Sequence, residues 1–353
     1  MKKFWIKTVA FCLIFALVFG VTGKYLKYHW HEDTRARYED LAEEDADSID
    51  VLTFGTSEMY HAYLPVAGYY AAGITGYNLA IQNRSAMTTY YQLKYALKHV
   101  KPKVVVCDFV CLFDDMLPSE SESVYRRTVD NMPDFSIKRE LISEICRVDE
   151  SQNALDWYLP MLRYHTMWNE LTDTDFVDEK DEFAGYPDYY KGACMNYAIS
   201  EQAYDIVPEL WETDSEPSEL ADFSMGYYDK LIDLCRENDI QVVCVLTPKI
   251  SDAAVYKANW PAMVEYLESR GVICLNYCEY DTVKEMGLNM YTDYADPAHL
   301  NVMGALKFST VMAMDIKKLC GLEDRRIDTE SETTQEWDRL WNEMLVFYAN
   351  LSE

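Results

Sequence analysis

Ile49-Asp50-Val51-Leu52-Thr53-Phe54-Gly55-Thr56-Ser57-Glu58 reads as a strand that runs into a glycine and then a serine. A later run, residues 104–110, reads as a continuous apolar strand, which suits a parallel sheet buried on both faces. Further strands are expected at residues 76–81, 240–246 and 271–276. Between and after these runs, residues 85–99, 223–238, 253–270 and 302–319 carry apolar side chains at helical spacing. Strands alternating with helices predict a doubly wound α/β sheet with right-handed crossovers, and a site built by loops at the carboxyl ends of the strands.

Working outward, residues 114–222 break the alternation. They are rich in Asp, Glu, Trp and Tyr, with Trp157, Trp168, Trp211 and a Tyr186/Tyr189/Tyr190 cluster. That is too long for a connection and too aromatic for a disordered linker, so an inserted subdomain or lid is expected. Toward the C-terminus, Trp337, Leu340, Trp341, Met344, Leu345 and Tyr348 form an apolar stripe behind Thr333-x-x-Glu336, which reads as a capping box for an amphipathic helix docked on the domain. Toward the N-terminus, residues 24–48 are polar and acidic, a stalk or first helix. Ahead of them residues 4–23 are apolar, broken only by Lys7, with Lys2 and Lys3 in front. About 20 residues at roughly 1.5 Å each cover the hydrocarbon core of a bilayer. The lysine flank predicts a cytoplasmic N-terminus and an extracytoplasmic remainder, and no A-x-A cleavage pattern closes the run. The expected organisation is an anchor over 1–23, a stalk over 24–48, an α/β domain over 49–322 and a terminal helix over 323–353.

Of the 353 residues, 49% are hydrophobic and 14% aromatic, so a packed core is expected; the net charge of −28 repels phosphate backbones and argues against nucleic acid as a partner. Ten cysteines suggest a disulfide framework at first sight. Yet Cys12 lies in the apolar N-terminal run, which leaves an odd number, and Cys107, Cys111, Cys244 and Cys274 sit in strand-like runs where cysteine acts as a small hydrophobe. Mostly free thiols are expected. The sequence has no zinc-ligand spacing, no HExxH, no GxxxxGK[ST] and no GxGxxG, so no metal or other cofactor is expected.

The chemistry is carried by few residues. Ser57, just past a buried strand and behind Gly55, is expected at the sheet's carboxyl edge, and a hydroxyl becomes a useful nucleophile only beside a base. Six histidines are available. His29 and His31 lie in the stalk, His99 ends a helix and His165 lies in the insertion. His61, four residues past Ser57, competes with His299 of Asp296-Pro297-Ala298-His299, a loop before the last helix. An aspartate three residues ahead of a histidine on a turn can accept its Nδ1–H, fix the tautomer and leave Nε2 for a serine. The spacing therefore favours Ser57, Asp296 and His299 as a catalytic triad.

A GxS after the first strand together with a DxxH before the last helix resembles the SGNH/GDSL hydrolases. The resemblance spans residues 49–112 and 223–320. It looks closest to the membrane-anchored, DltD-like and alginate-acetylation-like branch, which Asn78-Leu79-Ala80, the run 101–106 and the segment 164–171 also resemble. The resemblance implies a three-layer α/β/α flavodoxin-like domain with about five parallel strands. It implies a serine acyl esterase or O-acyltransferase that acts through an acyl-enzyme on acylated cell-envelope polymers, a glycan or a teichoic-acid-like chain, with a membrane-bound acyltransferase as the partner for transfer. The family draws oxyanion donors from a glycine in its second block and an asparagine in its third. Here those places read Ile81-Gln82-Asn83-Arg84-Ser85 and Cys107-Asp108-Phe109-Val110. The backbone N–H of Ser57 with Asn83 or Arg84 is the expected substitute. The alternative is a non-catalytic glycan-binding or assembly protein that keeps the fold and uses its aromatic insertion as a platform.

Overall fold

The structure, a computed structural model, describes residues 1–25, 33–164, 190–212 and 216–351. In chain order it forms α1 (Lys2–Tyr25), α2 (Asp33–Glu43), β1 (Val51–Phe54), α3 (Ser57–Ala62), α4 (Pro65–Ala72), β2 (Gly76–Asn78), α5 (Ala86–Ala96), β3 (Val104–Cys107), α6 (Glu122–Asn131), α7 (Phe135–Val148), α8 (Ala154–Tyr158) and α9 (Pro160–Tyr164). There follow α10 (Asp222–Glu237), β4 (Gln241–Leu246), α11 (Ala253–Glu268), β5 (Ile273–Asn276), α12 (Tyr280–Glu285), β6 (Tyr294–Asp296), β7 (His299–Leu300), α13 (Val302–Cys320) and α14 (Glu332–Leu351). The chain divides into two compact units: residues 1–36 with 117–185, and residues 37–116 with 186–353.

In the first unit, residues Lys2–Gly23 of α1 make a 22-residue stretch of mean hydropathy 2.3, the one helix among the described residues long and apolar enough to cross a membrane. Its side chains, Phe4, Phe11 and Leu17 among them, are exposed. Elsewhere in the unit Trp157 is fully buried, with the Arg126 guanidinium 4.1 Å from its ring centroid. Arg126 also donates to the Asp156 carbonyl at 2.8 Å. Asp134 caps α7 by accepting the N–H groups of Ser136 and Ile137.

The second unit holds a five-stranded, fully parallel sheet in the order β2-β1-β3-β4-β5. Leu52 stands opposite both Tyr77 and Val105, Val105 opposite Val242, and Val243 opposite Ile273. The three inner strands are buried along most of their length, and among the helices α13 packs on α3 and α4, and α10 on α5. Gly68 of α4 permits the close approach of α13, since a Cβ there would stand 3.2 Å from that of Ala313. The β2 edge is capped by the chain itself, with Asn78 N–H donating to the Lys191 carbonyl at 2.9 Å. Gly192 is required at that crossing, having φ of +79° and room for no Cβ, which would fall 2.3 Å from the Asn78 carbonyl oxygen.

The strands are shorter than their apolar runs. β3 stops at Cys107 because Asp108 turns out of the ladder and Phe109 takes a left-handed conformation, φ +51°. Two other details differ from the sequence reading. Helix α14 begins at Glu332, so Thr333 lies inside it and forms no capping box; the hydroxyl of the next residue, Thr334, donates instead to the Arg325 carbonyl at 2.9 Å. Of the apolar stripe, Trp337, Leu340 and Met344 are buried, whereas Leu345 is exposed. Trp211, like Trp157, serves a core: its indole N–H donates to the Cys278 carbonyl at 2.5 Å. Trp168, Tyr186 and Tyr189, the segment 165–171, and His29, His31 and His165 lie outside the described residues. All ten cysteines are free thiols.

Candidate active site

Four strand ends meet at one place. The turn after β1 carries Gly55, Thr56 and Ser57. A Cβ on Gly55 would stand 2.4 Å from Cβ of Met59 and 2.9 Å from Oδ2 of Asp108, so only glycine lets the chain fold from β1 into α3. Asp108, at the end of β3, accepts the Thr56 N–H at 2.6 Å through Oδ2. Its other oxygen accepts from Arg84, beyond β2, at 2.7 Å, and both side chains are only 1% exposed. From the end of β4, Lys249 donates to Glu58 at 2.6 Å and rests over the Tyr256 ring at 4.2 Å. Burial nonetheless raises the Glu58 carboxyl above its ordinary value, against the pull of Lys249.

Helix α3 is only six residues long, too short to satisfy its own ends. The surrounding chain supplies the partners. Asn78 Nδ2 donates to the carbonyls of Met59 and Tyr63 at 3.1 and 2.9 Å. Ser309 of α13 donates to the Ala62 carbonyl and accepts the Leu64 N–H, at 3.2 and 2.8 Å. Cys194 N–H donates to the Tyr60 carbonyl at 3.1 Å. At the other end of α3, the N–H of Ser57 belongs to the first turn, where no helical carbonyl is available to it.

The Asp296–His299 segment is a tight β-hairpin rather than a loop: β6 and β7 run antiparallel with Asp296 opposite His299 and Pro297-Ala298 between them. Aspartate followed by proline is a favoured opening for such a turn. One Asp296 oxygen accepts the N–H groups of Ala298 and His299 at 2.8 and 3.1 Å, and both oxygens lie 2.9–3.0 Å from His299 Nδ1. A carboxylate accepts, so Nδ1 carries the proton and Nε2 presents a lone pair. Nε2 lies 2.8 Å from Ser57 Oγ. Partial burial raises the Asp296 carboxyl, but the bonds from His299 and the two N–H groups outweigh it and hold the carboxyl below its usual range.

Several contacts fix the hairpin. The N–H groups of Ile250 and Ser251 donate to the Pro297 carbonyl at 2.9 and 2.8 Å, tying it to the loop that carries Lys249. Tyr294 donates to the Pro248 carbonyl at 2.7 Å. Asn301 caps α13 through Oδ1, accepting from Met303 and Gly304, while its Nδ2 donates to the Ala198 and Thr292 carbonyls.

Thus Ser57, Asp296 and His299 are brought together. His61 stands beside them: its Nδ1 donates to the Cys194 carbonyl at 2.9 Å and its ring meets that of His299 edge-on at 5.3 Å. Asn83 is exposed, with φ +45°, on a loop pinned by the Ile81 N–H to the Gly55 carbonyl at 2.9 Å. Arg84 is enclosed, its guanidinium engaged with Asp108, Thr89 and the Cys107 thiol. Its position makes it the support of Asp108 and, through it, of the Thr56 turn. Lys249 and Ser309 carry no local signal in the sequence, since each acts on a residue far along the chain. Asp108 was signalled only as a charged residue inside the apolar run 104–110. No three His, Cys, Asp or Glu side chains among the described residues are grouped to hold a metal ion. No protein-family model matches the chain, and no curated protein matches it significantly.

Proposed function

We propose that the protein is a membrane-anchored serine acyl esterase or O-acyltransferase of the SGNH/GDSL type. Ser57 is the nucleophile, His299 the base and Asp296 the carboxylate that orients it. The observation that carries this reading is the continuous run of hydrogen bonds from Ser57 Oγ through both nitrogens of His299 to Asp296. The sheet order β2-β1-β3-β4-β5 supports it further, being that of three-layer, flavodoxin-like domains, whose ligands bind beyond the strand carboxyl ends.

As Ser57 Oγ attacks an ester carbonyl, its proton passes to His299 Nε2, and the imidazolium is stabilised by Asp296. The tetrahedral oxyanion collapses, the C–O bond to the alcohol breaks, and His299 returns the proton to that alcohol. Water or a second hydroxyl then repeats the sequence against acyl-Ser57, giving hydrolysis or transfer. For the oxyanion, the Ser57 N–H and the exposed Asn83 are the donors this reading assigns, with Arg84 acting from behind through Asp108. The substrate class is an acylated envelope polymer, met outside the cytoplasm by a domain that α1 anchors, with a membrane-bound acyltransferase as partner if transfer is the outcome. A non-catalytic glycan-binding role draws support from the enclosure of Arg84, which leaves the oxyanion site few side-chain donors.

The test is turnover of simple acetyl esters by the full chain in detergent. Release of acetate by wild type and its loss in Ser57→Ala supports the enzyme reading. Equal rates in both, or none in either, supports the binding protein.

A further inference from the structure

His61 is left over by this mechanism, although its ring meets that of His299 edge-on at 5.3 Å. It lies one helical turn past Ser57 on α3 and so shares that residue's face. Its Nδ1 is committed: the Cys194 carbonyl 2.9 Å away can only accept, so Nδ1 carries the proton. Nε2 is therefore a lone-pair acceptor. It has no partner among the described residues, and the ring is only half-buried. Burial also lowers its basicity, outweighing the bond to the Cys194 carbonyl and the charge of Asp296, which act the other way. The clamp is two-sided, since Cys194 N–H also holds the Tyr60 carbonyl. A histidine fixed in one tautomer beside a nucleophile, with its acceptor nitrogen open, calls for a donor that the described residues do not supply.

We propose that His61 is a substrate-binding residue whose Nε2 accepts a hydrogen bond from a hydroxyl neighbouring the acyl ester, which makes polyol- and glycan-borne esters the substrates of this site. The proposal rests on the reading of Ser57 as the nucleophile. A plain alkyl or aryl ester offers His61 no such hydroxyl, and the two ester classes are thereby distinguished.

The test measures binding in a Ser57→Ala background, so that it does not depend on turnover. The probes are mono-O-acetylated xylotriose and 4-nitrophenyl acetate, titrated into the full chain. His61→Phe keeps a ring against His299 and removes the acceptor; His61→Gln restores one. The expected result is a dissociation constant for the acetylated xylotriose raised about tenfold by His61→Phe, as for loss of one neutral hydrogen bond, and largely recovered by His61→Gln. The 4-nitrophenyl acetate constant should change much less. Equal weakening toward both esters would overturn the proposal in favour of simple packing against His299. Unchanged binding in His61→Phe, or no binding of acetylated xylotriose at all, would overturn it as well. A wild-type chain inert to esters, but with the His61 effect on binding intact, would instead remove the enzyme reading and keep the site.

Discussion

His299 is held at both ring nitrogens, by a carboxylate on one side and a hydroxyl on the other, and this decides what substitution should do. Ser57→Ala and His299→Ala are each expected to lower kcat for ester cleavage about 10,000-fold or more, and the double variant no further, because the residues act as a unit. Asp296→Asn should be milder by about 100-fold, since orientation is impaired while nucleophile and base remain. Steady-state rates on one acetyl ester settle all three. Behind the nucleophile, Asp108→Asn removes one charge of a pair that is 1% exposed on both sides and leaves Arg84 buried without its partner. A loss of about 3–5 kcal/mol is expected, read as a lower denaturant midpoint at an unchanged m-value. At this scale Ser57, Asp296 and His299 were legible because each sits in a short motif with its own spacing. The pairing of Asp108 with Arg84 was not, because a buried ion pair between two loops leaves no local pattern.

Among the elements, α3 is the one built entirely by its surroundings. Gly55→Ala would push a methyl into Met59 and Asp108, and a loss of about 1–3 kcal/mol is expected in chemical denaturation, with activity falling further than stability because Ser57 moves with the turn. The start of β1 offers a pH test. Asp50, 1% exposed, is bound by Arg325 at 2.6 Å and by Lys103 at 3.0 Å. Desolvation raises its carboxyl, but these two cations outweigh it, and the folded value lies below the unfolded one. The unfolded chain therefore binds the proton first, and the stabilisation, present at neutral pH, is lost as pH falls below the ordinary carboxylate range of about 4. Thermal melts of wild type should fall steeply over that range, and those of Asp50→Asn, lower to begin with, should fall less. The parallel strands were legible as uninterrupted apolar runs. The β6–β7 hairpin was not: two and three residues are too few to display alternation, and the Asp-Pro turn showed only as a loop.

For the whole molecule, the apolar α1 carries a prediction of its own. If residues 4–23 are an anchor, the full chain should stay with membranes through an alkaline carbonate wash, and a chain beginning at residue 24 should be recovered in solution. A mature N-terminus near residue 24 in the culture medium would mark a cleaved signal instead. The division into two units was legible only as a change of composition after residue 114, because the helices of 117–164 follow no sheet and announce no fold. The central claim, an activated Ser57, is tested most directly by labelling the folded protein with a fluorophosphonate and mapping the adduct by mass spectrometry. One adduct is expected, on Ser57, lost in His299→Ala and in denatured protein. A wild-type protein that takes no label, or a His299→Ala variant labelled as fast as wild type, would contradict it.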